Sequence, residues 1–78
     1  MPHYFVDTSD GDRFIRDEIG LEARDLQAVR DEAMAALPSM GRELLASGDL
    51  RELFVIIRDP VGRVLCRVRL TIWCEWSD

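Results

Sequence analysis

The side chains of this chain that could perform chemistry are one histidine, two cysteines and fifteen acids. His3, the only histidine, stands at the N-terminus, where we expect it to be solvated. Without it, no Ser-His-Asp or Cys-His pairing can be assembled. Asp17 and Glu18 could transfer protons, but the Ile19-Gly20 that follows them is typical of a turn. We therefore expect no enzyme: no catalytic residue, no cofactor site and no small-molecule ligand.

The acidic segment 7–12 is the only candidate for a metal site. Its spacing does not fit a calcium loop, because placing Gly11 at the sixth position does not give acids at the first, third and twelfth positions together. Asp10-Gly11 is instead a strong hairpin signal. We interpret the segment as a turn and expect no metal ligands.

The two cysteines, Cys66 and Cys74, fall in one strand pattern. Eight residues of extended chain span about 26 Å, and a disulfide needs Cα atoms within about 7 Å. The pair therefore cannot bridge within one molecule. We interpret them as reduced core thiols of a cytoplasmic protein, with an intermolecular disulfide or a reactive thiol as the alternatives. The N-terminus shows no signal-peptide pattern, and no apolar run is long enough for a membrane span.

Charge is distributed unevenly along this short chain. The net charge is −5, which disfavours nucleic-acid binding by charge alone. Residues 1–50 hold eleven acids and five arginines, whereas residues 51–78 hold four acids and five arginines. Seventy-eight residues make one domain, 1–78, near the size at which a single core is barely sufficient. Self-association would stabilise such a domain.

The pattern of apolar residues predicts an α+β domain with the order β-β-α-β-β. Strands are expected near 3–8, 13–17, 52–58 and 63–75, and a helix near 26–47. The four strands would form one antiparallel sheet with the helix packed on one face. The long final strand is the expected centre of that sheet.

The helix has a cap, an apolar stripe and one irregularity. Asp25 suits the N-cap and Gly48 the C-terminal end. The stripe repeats at three- and four-residue steps and consists of Leu26, Val29, Ala33, Leu37, Met40 and Leu44. Pro38 interrupts it, so either the helix kinks near Ala35 or Pro38 begins a second helix. The unbroken phase of the stripe favours the kink.

The turn between the last two strands predicts which side chains face the helix. Pro60 cannot take the positive φ that a two-residue hairpin loop requires. A type I turn with Gly62 in the left-handed region fits instead and pairs Asp59 with Arg63. Phe54 would then face Val68, and Ile56 would face Cys66. The even-numbered side chains of both strands would pack against the helix.

The opposite face of this hairpin is the predicted functional surface. Its interface residues are Leu53, Val55, Ile57, Leu65, Arg67, Arg69 and Trp73. Apolar surface rimmed by arginine favours a protein–protein contact, so we expect a homodimer formed through this face or a strand edge. The alternatives are a nucleic-acid-binding sheet that uses Arg67, Arg69 and Trp73, and an antitoxin-like regulatory partner of another protein. Exposed β-branched residues that merely favour strands are the neutral explanation.

With these residues in place, the chain resembles a family of short bacterial proteins, a domain of unknown function found in soil bacteria with GC-rich genomes. The absence of Lys and Asn agrees with such a genome. The resemblance rests on these segments: Met1-Pro2-His3-Tyr4-Phe5-Val6-Asp7, Asp10-Gly11, Asp17-Glu18-Ile19-Gly20, Asp25-Leu26-Gln27-Ala28-Val29-Arg30-Asp31-Glu32-Ala33, and Arg58-Asp59 with Gly62-Arg63. Ala23 and Pro38 depart from the larger apolar residue and the unbroken helix that it implies. It implies no activity and no catalytic residue.

Overall fold

The computed structural model describes residues 1–45, 51–73 and 75–77. Within these ranges the chain forms, in order, β1 (His3–Ser9), β2 (Phe14–Ile15), β3 (Leu21–Glu22), α1 (Leu26–Leu45), β4 (Arg51–Arg58) and β5 (Val64–Ile72). The predicted α+β class and the β-β-α-β-β order are confirmed. Gly48 and Cys74 lie outside the described residues, as do the last two positions of the predicted helix.

The sheet is antiparallel, with the order β2-β1-β4-β5. The short segment β3 pairs with β1 at His3↔Glu22, along the same edge as β2. The predicted central position of the final strand is wrong, because β1 and β4 occupy the interior and β5 lies at an edge. The expected second strand, 13–17, contracts to Phe14–Ile15. After β2, the Asp17 side chain binds β1 where a strand backbone was expected. Its Oδ2 accepts the Val6 N–H at 3.0 Å.

The helix α1 begins as predicted. Asp25 Oδ1 accepts the Ala28 N–H at 2.9 Å, which satisfies a donor that the first turn leaves unpaired. One helix continues through the exposed Pro38, so the alternative of a second helix beginning there is wrong. No helix in the described ranges combines the length and the apolarity that crossing a bilayer requires.

The core lies between α1 and the sheet. Its buried apolar side chains come from β1, α1 and β4, namely Tyr4, Val29, Ala33, Leu37, Leu53, Val55 and Ile57. The strand β5 adds the half-buried Cys66, Val68 and Leu70. Gly41 lets the helix approach β5 closely, because a Cβ there would stand 3.0 Å from Leu70 Cδ2. Five members of the predicted helix stripe therefore lie in the core or against it, namely Leu26, Val29, Ala33, Leu37 and Met40.

The hairpin between β4 and β5 has the predicted turn but not the predicted register. Asp59 donates its N–H to the Arg63 carbonyl at 2.9 Å, and Gly62 has a φ of 92°. Beyond the turn, however, Arg58 faces Val64 while Ile57 faces Cys66, so Leu65 is an extra residue in β5. From Ile57 back to Arg51, each residue of β4 therefore faces the β5 residue one position beyond the one that the turn alone predicts, as in Phe54↔Arg69. The shift turns the even-numbered side chains of β4 away from the helix.

Candidate functional site

The sheet face opposite α1, here called the outer face, carries the side chains that alternate with the core residues. Its members follow from the strand register, and they are Phe5, Asp7 and Ser9 from β1, Glu52, Phe54, Ile56 and Arg58 from β4, and Arg67, Arg69 and Thr71 from β5. The segment 16–20 lies over one end of this face, at Asp7 and Arg58. The β5 end is solvent-exposed at Arg67, Arg69 and Thr71.

Three of the predicted interface residues do not lie on the outer face. Leu53, Val55 and Ile57 are core residues, exposed by only 1%, 3% and 0%. Their prediction as surface residues is wrong because the bulge at Leu65 turns the odd-numbered side chains of β4 toward α1. In the folded chain they therefore cannot contact a partner.

The other four predicted residues are accessible. Arg67 and Arg69 project from the outer face, and Trp73, exposed by 67%, directly follows β5. Leu65 is 37% exposed at the bulge. All four belong to β5 or directly follow it. The accessible part of the predicted interface therefore lies along the edge strand.

Phe54 and Ile56 replace the lost apolar residues on the outer face. Both are half-buried, and the Arg69 guanidinium carbon lies 5.8 Å from the centre of the Phe54 ring, within the range of a cation–π contact. The turn alone places these two residues on the core face, and that prediction is wrong. A usable signal was present, because the even-numbered set of β4 begins and ends with the charged residues Glu52 and Arg58, which a core-facing set would exclude.

A buried ion pair between Asp7 and Arg58 occupies the other end of the outer face. Arg58 donates from Nε to Asp7 Oδ2 at 2.6 Å and from Nη2 to Asp7 Oδ1 at 2.9 Å. The two residues are only 2% and 8% exposed. The hydrogen bonds from Arg58 hold the pKa of Asp7 below its ordinary value, although burial acts in the opposite direction. Asp7 is therefore ionised at neutral pH, and the pair is a structural clamp between β1 and β4.

Asp17 extends this clamp into the segment 16–20. Its carbonyl accepts Arg58 Nη2 at 3.0 Å, and its N–H donates to Asp7 Oδ1 at 2.9 Å. Its Oδ1 accepts the N–H groups of Ile19 and Gly20, at 3.0 and 2.9 Å. The bond from Gly20, followed by that from Val6, lowers the pKa of Asp17. A carboxylate engaged in this way holds a loop in place and is not available as a free base.

The edge of the sheet at β5 is the second feature of the surface. Along its nine residues, β5 pairs with β4 on one side, and no described strand pairs with the other side. Such an edge presents unpaired N–H and C=O groups that can accept a further strand. Arg67 and Arg69 are the charged side chains on this strand.

His3 lies in β1 rather than in a frayed terminus, which corrects the expectation of a solvated histidine. It is half-buried, its ring packs edge-on against Phe5 at 5.2 Å, and Nε2 lies 3.3 Å from the Ile19 carbonyl oxygen. These contacts place His3 against the segment 16–20. Of the two acids considered for proton transfer, Asp17 is part of the clamp described above and Glu18 is exposed.

A small cavity near the turn between β1 and β2 has a volume of about 100 Å³, whereas typical ligand pockets measure about 300–1,000 Å³. It is lined by Thr8, Ser9, Asp10, Arg13, Ile15 and Met40. Among the residues that the structure describes, no group of three or more His, Cys, Asp or Glu side chains is arranged to hold a metal ion. The surface features that remain are the outer face and the β5 edge.

Comparison with known proteins identifies the family of this chain. No curated protein and no solved structure matches the chain. A family model described as "Domain of unknown function (DUF6894)" matches residues 3–71, which include every strand and the helix except Ile72. This match confirms the resemblance to a domain of unknown function that the sequence motifs indicated. The chain belongs to the DUF6894 family.

Proposed function

We propose that this chain is a non-enzymatic protein–protein interaction module that forms a homodimer through the β5 edge and the adjacent outer face. The single observation that carries the proposal is the nine-residue edge of β5, which has a neighbour on one side only among the described strands. Natural proteins protect long edges against pairing by another chain. This edge has no proline, and beyond the bulge at Leu65 its pairing with β4 runs without interruption from Cys66 to Ile72. That stretch can accept a further strand wherever its arginines find suitable partners.

The side chains beside the edge support the proposal. Leu65 and Trp73 are exposed near the two ends of β5, and Phe54 and Ile56 give the neighbouring part of the outer face an apolar surface. Apolar and aromatic side chains bordered by arginine are typical of the centres of interfaces. A chain of 78 residues also gains more from a second copy than a larger domain would.

The charges of this surface restrict how a second copy can bind. The solvent-exposed charges of β5 are Arg67 and Arg69. When two β5 edges meet, these arginines must lie opposite residues that are not basic, because like charges at facing positions destabilise a strand pair. We propose the cytoplasm as its location, because Cys66 is a free thiol and reducing compartments preserve thiols.

The test is the molar mass in solution of the wild type and of two matched tryptophan variants. We expect a mass twice the 9.0 kDa of one chain by light scattering. Trp73→Arg should give a folded monomer, because it adds a third cation to the edge that carries Arg67 and Arg69, and like charges destabilise a strand pair. Trp76→Arg, the same change at a residue 90% exposed beyond β5, should remain dimeric. A monomeric wild type, or a Trp73→Arg variant as dimeric as the wild type, contradicts the proposal.

A second candidate function, binding of single-stranded nucleic acid, is favoured by one observation. Arg69 lies over Phe54, and Arg67 projects from the same face, which is a combination that can stack a base. Titration with labelled single-stranded RNA at several salt concentrations tests it. Salt-sensitive binding that Arg67→Glu abolishes would favour this function, and no binding at low salt would exclude it.

A further inference from the structure

The order of side chains on β5 restricts how two copies could pair. A symmetric dimer makes each residue of one edge face a defined residue of the other. A two-fold axis that relates parallel strands runs along them. It would set each backbone N–H and C=O of β5 opposite the same group of the second copy, so no hydrogen-bonded ladder could form. The pairing must therefore be antiparallel.

The antiparallel arrangement must also keep the two faces of the sheet distinct. The half-buried Val68 and Leu70 lie on the helix side of the sheet, and Arg67 and Arg69 lie on the outer face. If the two helices lie on the same side of a continuous sheet, apolar residues face apolar residues and outer-face residues face one another. The two-fold axis must then pass through a residue that faces its own copy, because side chains alternate along a strand.

Most such registers bring arginines together. An axis at Arg67 or at Arg69 makes that arginine face itself, and an axis at Val68 makes Arg67 face Arg69. An axis at Cys66 places the bulge at Leu65 in the pairing and brings Arg69 opposite Arg63. Each of these arrangements sets like charges at facing positions. Only axes closer to the C-terminal end of β5 avoid them.

We propose that two copies pair β5 with β5 about Leu70, so that Arg69 faces Thr71 and Arg67 faces Trp73 of the second copy. This register rests on the proposed self-association and adds its geometry. An axis one residue further on, at Thr71, also separates the arginines, but it pairs only residues 70–72 of β5. The axis at Leu70 pairs residues 68–72, so it forms the longer ladder.

The proposed register gives exposed side chains suitable partners. The indole of Trp73, 67% exposed in one copy, would receive the Arg67 guanidinium of the other, a cation–π contact. On the helix side, Val68 would face Ile72 and Leu70 would face Leu70. These apolar pairs continue the layer that α1 already covers, since Gly41 packs against Leu70 and Ile72.

Cysteine pairing tests the register. In a background of Cys66→Ser and Cys74→Ser, two variants are made, Arg69→Cys and Thr71→Cys. Each is oxidised mildly alone, and both are oxidised together after subunit exchange. Facing Cβ atoms lie about 4.5–5.5 Å apart and diagonal ones about 7–8 Å apart, and a disulfide spans about 3.8 Å. Only facing cysteines should link.

We expect the mixture to give a disulfide-linked heterodimer several-fold more abundant than the linked product of either variant alone. Linkage chiefly within Arg69→Cys, chiefly within Thr71→Cys, or in no sample overturns the register. If light scattering still shows a dimer in these cases, the proposed function stands and only its geometry is wrong. A monomeric mass for the cysteine-free background contradicts the self-association itself.

Discussion

Arg58 holds Asp7 by two hydrogen bonds, of 2.6 and 2.9 Å, across 51 residues of sequence. The pair joins the two interior strands on the outer face, and Arg58 also binds the Asp17 carbonyl. It thereby connects the N-terminal strand, the segment 16–20 and the C-terminal hairpin. Because both charges are buried and satisfied, their loss is more serious than the loss of a surface ion pair.

Removing the charge of Asp7 should therefore destabilise the domain strongly. Asp7→Asn leaves Arg58 buried without its counter-charge, and we expect a loss of about 3 kcal/mol in the free energy of unfolding, at the low end for a broken buried pair. Urea denaturation followed by circular dichroism measures it. Asp31→Asn, which removes an exposed partner of Arg30, is the control and should change the free energy by less than about 0.5 kcal/mol. Equal losses would contradict a structural role for the pair.

The same carboxylates predict sensitivity to acid. The folded pKa values of Asp7 and Asp17 lie below the ordinary value of 3.8, so the unfolded state binds protons first as pH falls. Their contribution to stability is complete above that ordinary value and is lost as pH falls through the folded values. Urea midpoints measured from pH 6 downward should therefore decrease in this window.

Comparing Asp7→Asn with the wild type isolates the part of the acid sensitivity that belongs to Asp7. Asp7→Asn lacks the titrating group, so the gap in unfolding free energy between it and the wild type should narrow as the pH falls below 3.8. A gap that stays constant over this range would show that Asp7 does not titrate with folding.

Adjacent isoleucines test the register of β4. Ile57 is fully buried, whereas Ile56 lies half-buried on the outer face. Ile57→Val should cost about 1 kcal/mol in unfolding free energy, as expected for a methyl group removed from a core. Ile56→Val should cost clearly less. The reverse order would mean that the even-numbered residues face the helix, as the turn alone predicts.

Two glycines with positive φ separate backbone strain from steric contact. Gly62→Ala, at a φ of 92° with no atom within 4 Å of the new Cβ, should lose about 1 kcal/mol from the left-handed backbone alone. Gly20→Ala shares the strain, and its Cβ would also stand 2.8 Å from the Tyr4 carbonyl oxygen and contact the His3 ring. It should lose about 1–3 kcal/mol more. Thermal unfolding of both variants measures the difference, and equal losses would show that the segment 16–20 can move away from β1.

The parts of this fold that the sequence predicted correctly depend on short-range chemistry. Asp25 caps the helix because its carboxylate binds an N–H of the first turn. Pro60 and Gly62 specify the turn because each restricts or permits a particular backbone conformation. The α1 stripe and the inward face of β5 follow from periodicity alone. On the candidate surface, Arg67, Arg69, Leu65 and Trp73 were located for the same reason.

The bulge that selects the inward face of β4 was decided by tertiary structure. The turn places the first pairs in one register, and the bulge at Leu65 then changes it. A bulge is favourable here because it buries Leu53, Val55 and Ile57 and leaves Arg58 on the face where Asp7 can bind it. These gains come from residues distant in sequence, and no local pattern around Leu65 contains them. Periodicity and turn chemistry thus determine the elements of the chain, and long-range burial of charge and apolar surface determines which side of β4 a partner can reach.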